Sequence, residues 1–142
     1  MKQNILFLCT GNSCRSQMAE GWAKKLKSDH LNFFSAGTKK HGLNPYAIKV
    51  MSEVEIDISH HESNIIEDFN DTEMDIVFTV CSDAHETCPI FTGSKIIHVG
   101  FDDPPRLTQD MSNEQEILPV YRRVRDEIKV FISGIEKWME EK

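Results

Sequence analysis

The stretch Cys9-Thr10-Gly11-Asn12-Ser13-Cys14-Arg15-Ser16 follows a short apolar run, Asn4–Leu8, and precedes a helical pattern that begins near Ser16. A strand, a tight loop and a helix N-terminus in this order suit a tetrahedral oxyanion, because loop N–H groups point inward and the helix dipole adds positive potential. Cys9 starts the loop, where that potential favours a thiolate over a thiol. Arg15 ends it with a planar guanidinium that can bind two oxygens of one anion. The stretch therefore predicts a nucleophile beside an oxyanion site.

Predicted strands and helices alternate along the rest of the chain. The strands are Asn4–Leu8, Asn32–Ala36, Asp75–Val80 and Lys95–His98, and the helices are Ser16–Lys27, Pro45–Met51, Ser63–Phe69 and Pro119–Glu140. This alternation predicts an α/β three-layer sandwich, in which a four-stranded parallel sheet carries helices on both faces. Ligands of such sheets bind at the carboxyl ends of the strands. We therefore expect the Cys9 loop, Cys81 and the Asp102-Asp103 loop to meet at that edge.

Length and charge limit the class of protein. The chain has 142 residues, which fits one domain over residues 1–142. Its formal net charge is −7, from 23 acidic and 16 basic residues. This balance argues against nucleic acid or an acidic membrane surface as the main partner. The N-terminal apolar run, at about five residues, is too short for a secretory or transmembrane segment, so we expect a cytoplasmic protein.

Four cysteines, Cys9, Cys14, Cys81 and Cys88, occur in the chain. In a cytoplasmic protein they indicate catalysis, redox cycling or metal binding rather than structural disulfides. Their spacings do not match the close pairs of zinc knuckles, which disfavours a four-cysteine zinc site. We expect Cys14 to supply its backbone N–H to the oxyanion loop while its side chain is passive.

Two neighbours of the loop have predicted roles of their own. Ser16 is placed to donate a hydrogen bond to the Cys9 thiolate and to cap the following helix. Asp103 precedes Pro104, whose ring restricts the preceding residue to extended conformations. A carboxyl held in this way beside an anion site can protonate a departing oxygen as a general acid.

Several segments together resemble the low-molecular-weight protein tyrosine phosphatase superfamily. They are Cys9–Ser16 with Gln17-Met18-Ala19-Glu20-Gly21, Ser35-Ala36-Gly37, Asn44-Pro45 and Gly100-Phe101-Asp102-Asp103-Pro104. The resemblance implies a flavodoxin-type strand order, Cys9 as nucleophile and Asp103, rather than Asp102, as general acid. It also implies an oxyanion site made by Thr10, Gly11, Asn12, Ser13, Cys14 and Arg15.

Cys81 and Cys88 distinguish two branches of that superfamily. Their spacing, together with Cys81-Ser82-Asp83 and Cys88-Pro89, resembles the redox cysteines of thioredoxin-coupled arsenate reductases. This implies a transient Cys9–Cys81 disulfide followed by a Cys81–Cys88 disulfide. It implies arsenate as substrate, phosphate or sulfate as competing anions, and thioredoxin as reductant, with no tightly bound cofactor. It further implies a potassium site at Asn12, Glu20, Ser35 and Asn64.

Other functions stay open on sequence grounds. A tyrosine phosphatase would use the same Cys9, Arg15 and Asp103, although Pro105-Arg106-Leu107 lacks the paired tyrosines with which phosphatases of this superfamily grip aryl phosphates. A redox- or arsenic-sensing module would bind arsenite without turnover. Glutaredoxin could replace thioredoxin as reductant.

Overall fold

The computed structural model describes residues 3–9, 11–27, 29, 31–39, 42–80 and 95–140. The strands are β1 (Gln3–Cys9), β2 (Leu31–Gly37), β3 (Ile76–Thr79) and β4 (Lys95–His98). The α-helices are α1 (Arg15–Lys27), α2 (Pro45–Glu53), α3 (Pro104–Leu107), α4 (Glu114–Ser133) and α5 (Ile135–Glu140). The predicted alternation of strand and helix is thereby confirmed.

The four strands form one parallel sheet in the order β2-β1-β3-β4. The central strand β1 pairs Ile5 with Phe33 of β2 on one side and with Ile76 of β3 on the other. This is the predicted flavodoxin-type order, in which the chain reverses direction across the sheet beside β1. The carboxyl end of β1, where Cys9 lies, is therefore the expected place for a ligand.

Alternate residues of β1 point to opposite faces of the sheet. Ile5 and Phe7 join the larger core, to which α1, α2, α4 and α5 contribute. Leu6 and Leu8 join a smaller core on the other face, against which Phe69 packs. Phe69 ends a one-turn 3₁₀ helix, Ile66–Phe69, that helps to cover this second face.

Two predicted helices differ from the structure. The region predicted as the helix Ser63–Phe69 holds only the one-turn 3₁₀ helix. The helix predicted over Pro119–Glu140 begins earlier, at Glu114, because the Asn113 side chain accepts a hydrogen bond from the N–H of Gln115 and caps it. It is also divided at Gly134 into α4 and α5.

The segment between β4 and α4 brings an acidic residue to the sheet edge. Asp103 immediately precedes α3 and has the extended backbone expected before proline, with φ −93° and ψ 102°. Pro104 then occupies the first turn, where a missing N–H costs no hydrogen bond. Among the described residues, no helix combines the length and apolar character needed to cross a bilayer.

Candidate active site

The predicted oxyanion loop joins the end of β1 to the start of α1. Asn12 has a positive φ of 48°, a left-handed conformation that asparagine tolerates and that lets a short loop curl around an anion. The loop is tied from outside, since the Asn44 N–H donates to Ser13 O at 3.0 Å and Ser63 Oγ donates to Gly11 O at 3.2 Å. Thr10, also predicted for this loop, lies outside the described residues.

Cys9, the predicted nucleophile, is the last residue of β1 and is 3% exposed. Its sulfur lies 2.9 Å from Ser16 Oγ, so the predicted hydrogen bond between these side chains is present. Val80 and Phe101 pack against Cys9. The nucleophile therefore has both apolar side chains and a hydroxyl as neighbours.

Arg15 starts α1 and its guanidinium is buried beneath the carboxyl end of the sheet. Nη1 donates to Phe101 O at 3.1 Å and lies 3.4 Å from Val80 O. Nη2 lies 3.7 Å from Asp103 Oδ1. Backbone carbonyls of two different segments thus hold the guanidinium in one orientation beside Cys9.

The two adjacent aspartates have different environments. Asp103 faces Arg15 and is 28% exposed, so its carboxyl is accessible at the mouth of the site. Asp102 points away and pairs with Arg123 of α4, with 3.0 Å between Nη2 and Oδ2. The geometry therefore agrees with the preference for Asp103 over Asp102.

Cys14 is buried in the larger core, next to the loop. Burial raises the pKa of its thiol well above the ordinary value, and the negative charges of Cys9 and Asp103 raise it further, while Arg15 opposes them. Cys14 is therefore a neutral thiol at neutral pH. This agrees with a passive side chain at that position.

Cys81 and Cys88 lie outside the described residues, so the two disulfides stay predictions. The described chain ends before them at Val80, which directly precedes Cys81 in sequence. Val80 donates its N–H to Leu8 O at 2.9 Å and packs against Cys9. The chain thus enters the predicted redox segment from a point already in contact with the nucleophile.

The four residues predicted to bind potassium do lie together, but side-chain oxygens of Asn12 and Glu20 already accept hydrogen bonds. Asn12 Oδ1 accepts from the Asn64 N–H at 2.6 Å and from Gln17 Nε2 at 3.1 Å. Glu20 accepts from Ser35 Oγ and pairs with Lys24 Nζ at 2.5 Å. The Asn64 amide also turns its nitrogen, not its oxygen, towards the neighbouring carbonyls.

Asn64 Nδ2 lies 3.1 Å from Glu62 O and 3.4 Å from Ser35 O. Potassium needs oxygen atoms with lone pairs directed at it, whereas N–H donors from two amides face these oxygens. This arrangement does not fit a bound potassium ion. Within the described ranges, no group of three His, Cys, Asp or Glu residues could hold a metal ion.

Sequence reasoning missed two residues that shape the loop, Gln17 and Asn44. Gln17 is fully buried and donates through Nε2 to Asn12 O at 3.1 Å and Glu62 O at 2.9 Å. Asn44 binds Ser13 and also caps α2. Pro45 predicted where α2 begins but not the cap at Asn44, and nothing local to Gln17 reveals partners that lie so far along the chain.

Comparison with known proteins agrees with this geometry. Residues 4–142 match the low molecular weight phosphotyrosine protein phosphatase family. The chain belongs to this family. Within it, the sequence is 48% identical over 134 residues to arsenate reductase 2 of Staphylococcus epidermidis, covering 94% of this chain and 95% of the relative.

Solved members of the family give the same result. A structure described as an arsenate reductase in the phosphate binding state superimposes with a TM-score of 0.78 at 33% identity, covering 96% of this chain and 98% of the other. One described as an arsenate reductase in oxidized state also gives 0.78, at 31% identity, covering 97% and 99%. The solved structures and the curated relative therefore agree that the chain is similar to arsenate reductases.

Proposed function

We propose that this chain is an arsenate reductase that converts arsenate to arsenite through Cys9, Cys81 and Cys88 and is recycled by thioredoxin. The observation that carries the proposal is the contact between Cys9 and Val80, the residue before Cys81. Because Cys81 directly follows Val80 in the sequence, we expect this contact to let a second thiol approach the sulfur that has bound the oxyanion. The relatives named arsenate reductase, at 48% identity, support the same substrate.

The first step forms a bond between sulfur and arsenic. Arsenate sits in the loop, held by backbone N–H groups and by Arg15, as the tetrahedral phosphate of a solved relative suggests. The Cys9 thiolate attacks arsenic, and one arsenate oxygen leaves as water after Asp103 donates a proton. Ser16 orients the thiolate from 2.9 Å.

The second step transfers two electrons to arsenic. The Cys81 thiolate attacks the Cys9 sulfur and forms the Cys9–Cys81 disulfide, while the electron pair of the sulfur–arsenic bond stays on arsenic, which leaves as arsenite. The Cys88 thiolate then attacks Cys81 and frees Cys9, leaving a Cys81–Cys88 disulfide. A dithiol such as thioredoxin reduces this disulfide, so each turnover consumes two electrons.

Steady-state NADPH consumption tests the proposal as a whole. We expect arsenate-dependent oxidation of NADPH with thioredoxin and thioredoxin reductase, and none with glutaredoxin and glutathione. Cys9→Ser is the inactive control. If neither couple supports more than one turnover, the relay is wrong, and if only glutaredoxin does, the partner is wrong.

Trapping the intermediate tests the order of the thiols. Replacing Cys88 by Ser removes the thiol that attacks Cys81, so arsenate should leave the protein with a Cys9–Cys81 disulfide. Peptide mass mapping under non-reducing conditions identifies it. Undiminished multiple turnover by this variant would contradict the relay.

Phosphatase activity is the second candidate, since the family is named for it and Cys9, Arg15 and Asp103 suffice for phosphate transfer. Hydrolysis of p-nitrophenyl phosphate needs neither Cys81 nor Cys88. If that hydrolysis exceeds arsenate turnover in kcat/KM, phosphatase is the main activity. We further propose a cytoplasmic location, where reduced thiols and a thioredoxin-type donor are present.

A further inference from the structure

The side chain of Gln17, near the start of α1, is fully buried. Its Nε2 faces three oxygens: Asn12 O at 3.1 Å, Asn12 Oδ1 at 3.1 Å and Glu62 O at 2.9 Å. A reversed amide would place its own oxygen against those three, so the nitrogen must face them. The amide oxygen is left to face His61, whose Nδ1 lies 3.0 Å away.

The direction of the His61 bond follows from this orientation. The Gln17 amide oxygen can only accept, so His61 must carry its hydrogen on Nδ1. His61 is half-buried and sits at the surface end of the contact. His61 is therefore the donor of this hydrogen bond and Gln17 is the acceptor. The bond persists whether the imidazole is neutral or charged, because Nδ1 carries a hydrogen in both forms.

The hydrogen bonds continue from Gln17 to the nucleophile. Asn12 Oδ1 accepts from Gln17, so Asn12 Nδ2 is the donor to Ser16 Oγ at 2.8 Å. The single hydrogen of Ser16 is then available for Cys9 Sγ at 2.9 Å. Four successive bonds thus donate in one direction, from His61 through Gln17, Asn12 and Ser16 to the sulfur.

Burial strengthens this row of four hydrogen bonds. Gln17, Asn12 and Ser16 are all 0% exposed, so water does not compete for their hydrogen bonds. Hydrogen bonds in a row polarise one another, and a chain that ends on an anion donates more strongly at its last link. A thiolate at Cys9 gains from such a chain more than a neutral thiol does.

We propose that Gln17 and His61 are positioning residues for Cys9, which they serve through this one-way chain of hydrogen bonds. Neither touches the sulfur or a bound oxyanion. They hold Asn12 and Ser16 in the orientation that keeps the serine hydroxyl a donor. The inference shares with the proposed function the assignment of Cys9 as nucleophile, but it does not require arsenate to be the substrate.

The test is a double-mutant cycle on the alkylation of Cys9 by iodoacetamide near neutral pH, followed by tandem mass spectrometry of the peptide. This readout needs neither arsenate nor a reductant, so it can fail independently of the proposed function. Ser16→Ala should slow Cys9 alkylation about ten-fold, the scale of one hydrogen bond to a charged group. Gln17→Met keeps the length of the side chain, removes its amide and should slow the reaction at least about three-fold.

The decisive comparison is the double variant. If Gln17 acts through Ser16, Gln17→Met should have no further effect in the Ser16→Ala background. An effect that multiplies with that of Ser16→Ala would overturn the proposal, as would an unchanged rate for Gln17→Met alone. A purely structural role of Gln17 would slow the reaction equally in both backgrounds.

His61→Phe repeats the test in case Gln17→Met does not fold. It removes only the first donor of the chain and should slow alkylation by about two-fold or more, again only when Ser16 is present. His60→Phe is the matched control, because His60 is an exposed neighbour whose ring contacts His61 but not Gln17. Equal effects of the two histidine variants would overturn the role of His61.

Discussion

Arg15 Nη2 and Asp103 Oδ1 lie 3.7 Å apart in the candidate active site. Arg15 is 4% exposed and is held by the Phe101 carbonyl, whereas Asp103 is 28% exposed. The cation is thus fixed and the acid is accessible. An arriving oxyanion meets a buried guanidinium held by a backbone carbonyl and, next to it, a partly exposed carboxyl able to act as a proton donor.

We expect Asp103→Asn to lower kcat about 100-fold or more, since general acid catalysis typically contributes this much. The arsenate KM should change little, because the loop and Arg15 still bind the anion. Asp102→Asn is the control, as it removes only a surface pair with Arg123 and should alter kcat less than two-fold, that is about 0.4 kcal/mol or less. Steady-state kinetics of both variants test the assignment of Asp103 as the general acid. Equal losses of kcat in the two variants would contradict it.

Potassium should have little effect on this protein. With N–H donors of Gln17 and Asn64 on the oxygens of the predicted site, the melting temperature should be the same in potassium and choline chloride at equal ionic strength. Asn64→Asp removes one amide and adds a negative charge. The melting temperature of this variant should therefore be higher in potassium chloride than in choline chloride. Asn70→Asp, an exposed change of equal charge, is the control.

A potassium-dependent melting temperature in the unsubstituted protein would contradict the arrangement of amides seen here. A response of the Asn70→Asp control equal to that of Asn64→Asp would show that the charge acts without a specific site.

Stability should fall on acidification through His61. Burial lowers the pKa of His61 below its ordinary 6.5, opposed by the charge of Glu20 and assisted by that of Lys24. The unfolded chain therefore binds a proton at a higher pH than the folded protein does, and unfolding becomes more favourable as pH falls below about 6.5. His60 and Asp57 also face this imidazole, with opposite effects.

The difference between the unsubstituted protein and His61→Phe isolates this contribution. Melting temperatures between pH 8 and pH 5 should decline more steeply with the histidine present. Parallel curves for the two proteins would mean that His61 titrates equally in the folded and unfolded states.

Gly21 should not accept a side chain. A Cβ at this position would lie 2.9 Å from Ile58 Cγ2 and 3.1 Å from Met51 Cε, in the packed contact between α1 and its neighbours. Gly21→Ala should therefore destabilise the protein by about 1–3 kcal/mol, although alanine favours a helix.

Gly134→Ala is the matched control for Gly21. Its Cβ would meet only the Val130 carbonyl at 4.0 Å, and its φ of −110° suits any residue. We expect no loss of stability, or a gain of about 0.4–1 kcal/mol from reduced freedom of the unfolded chain. Urea unfolding of both variants measures the difference, and similar values for the two would contradict the tight packing at Gly21.

The sequence predicted what depends on local pattern. The apolar run before Cys9 forms the expected strand, and Asp103 has the extended backbone expected before a proline, since each is decided by its immediate neighbours. Pro119 was misleading, because proline favours the first turn of a helix, yet here Asn113 starts α4 earlier and Pro119 lies inside it. The exposed cap Asn113 therefore decided where α4 begins, although Pro119 was the stronger signal in the sequence.

Contacts distant in sequence could not be predicted. Gln17 meets Glu62 and His61 only because the parallel sheet places the chain after Ile58 against the start of α1. The potassium residues show the same limit. Their proximity followed from the resemblance to a family, but which of their atoms face one another depends on the orientation of the Asn64 and Gln17 amides.

Asn44 links three parts of the molecule, and its place in the sequence protects that link from chemical ageing. It binds Ser13 O of the loop, caps α2 and donates to Tyr121 Oη of α4 at 3.1 Å. An asparagine side chain deamidates when the backbone nitrogen of the next residue loses its hydrogen and attacks the side-chain amide. Pro45 has no such hydrogen. The anchor that holds the oxyanion loop to two helices is therefore shielded from the commonest spontaneous loss of an asparagine.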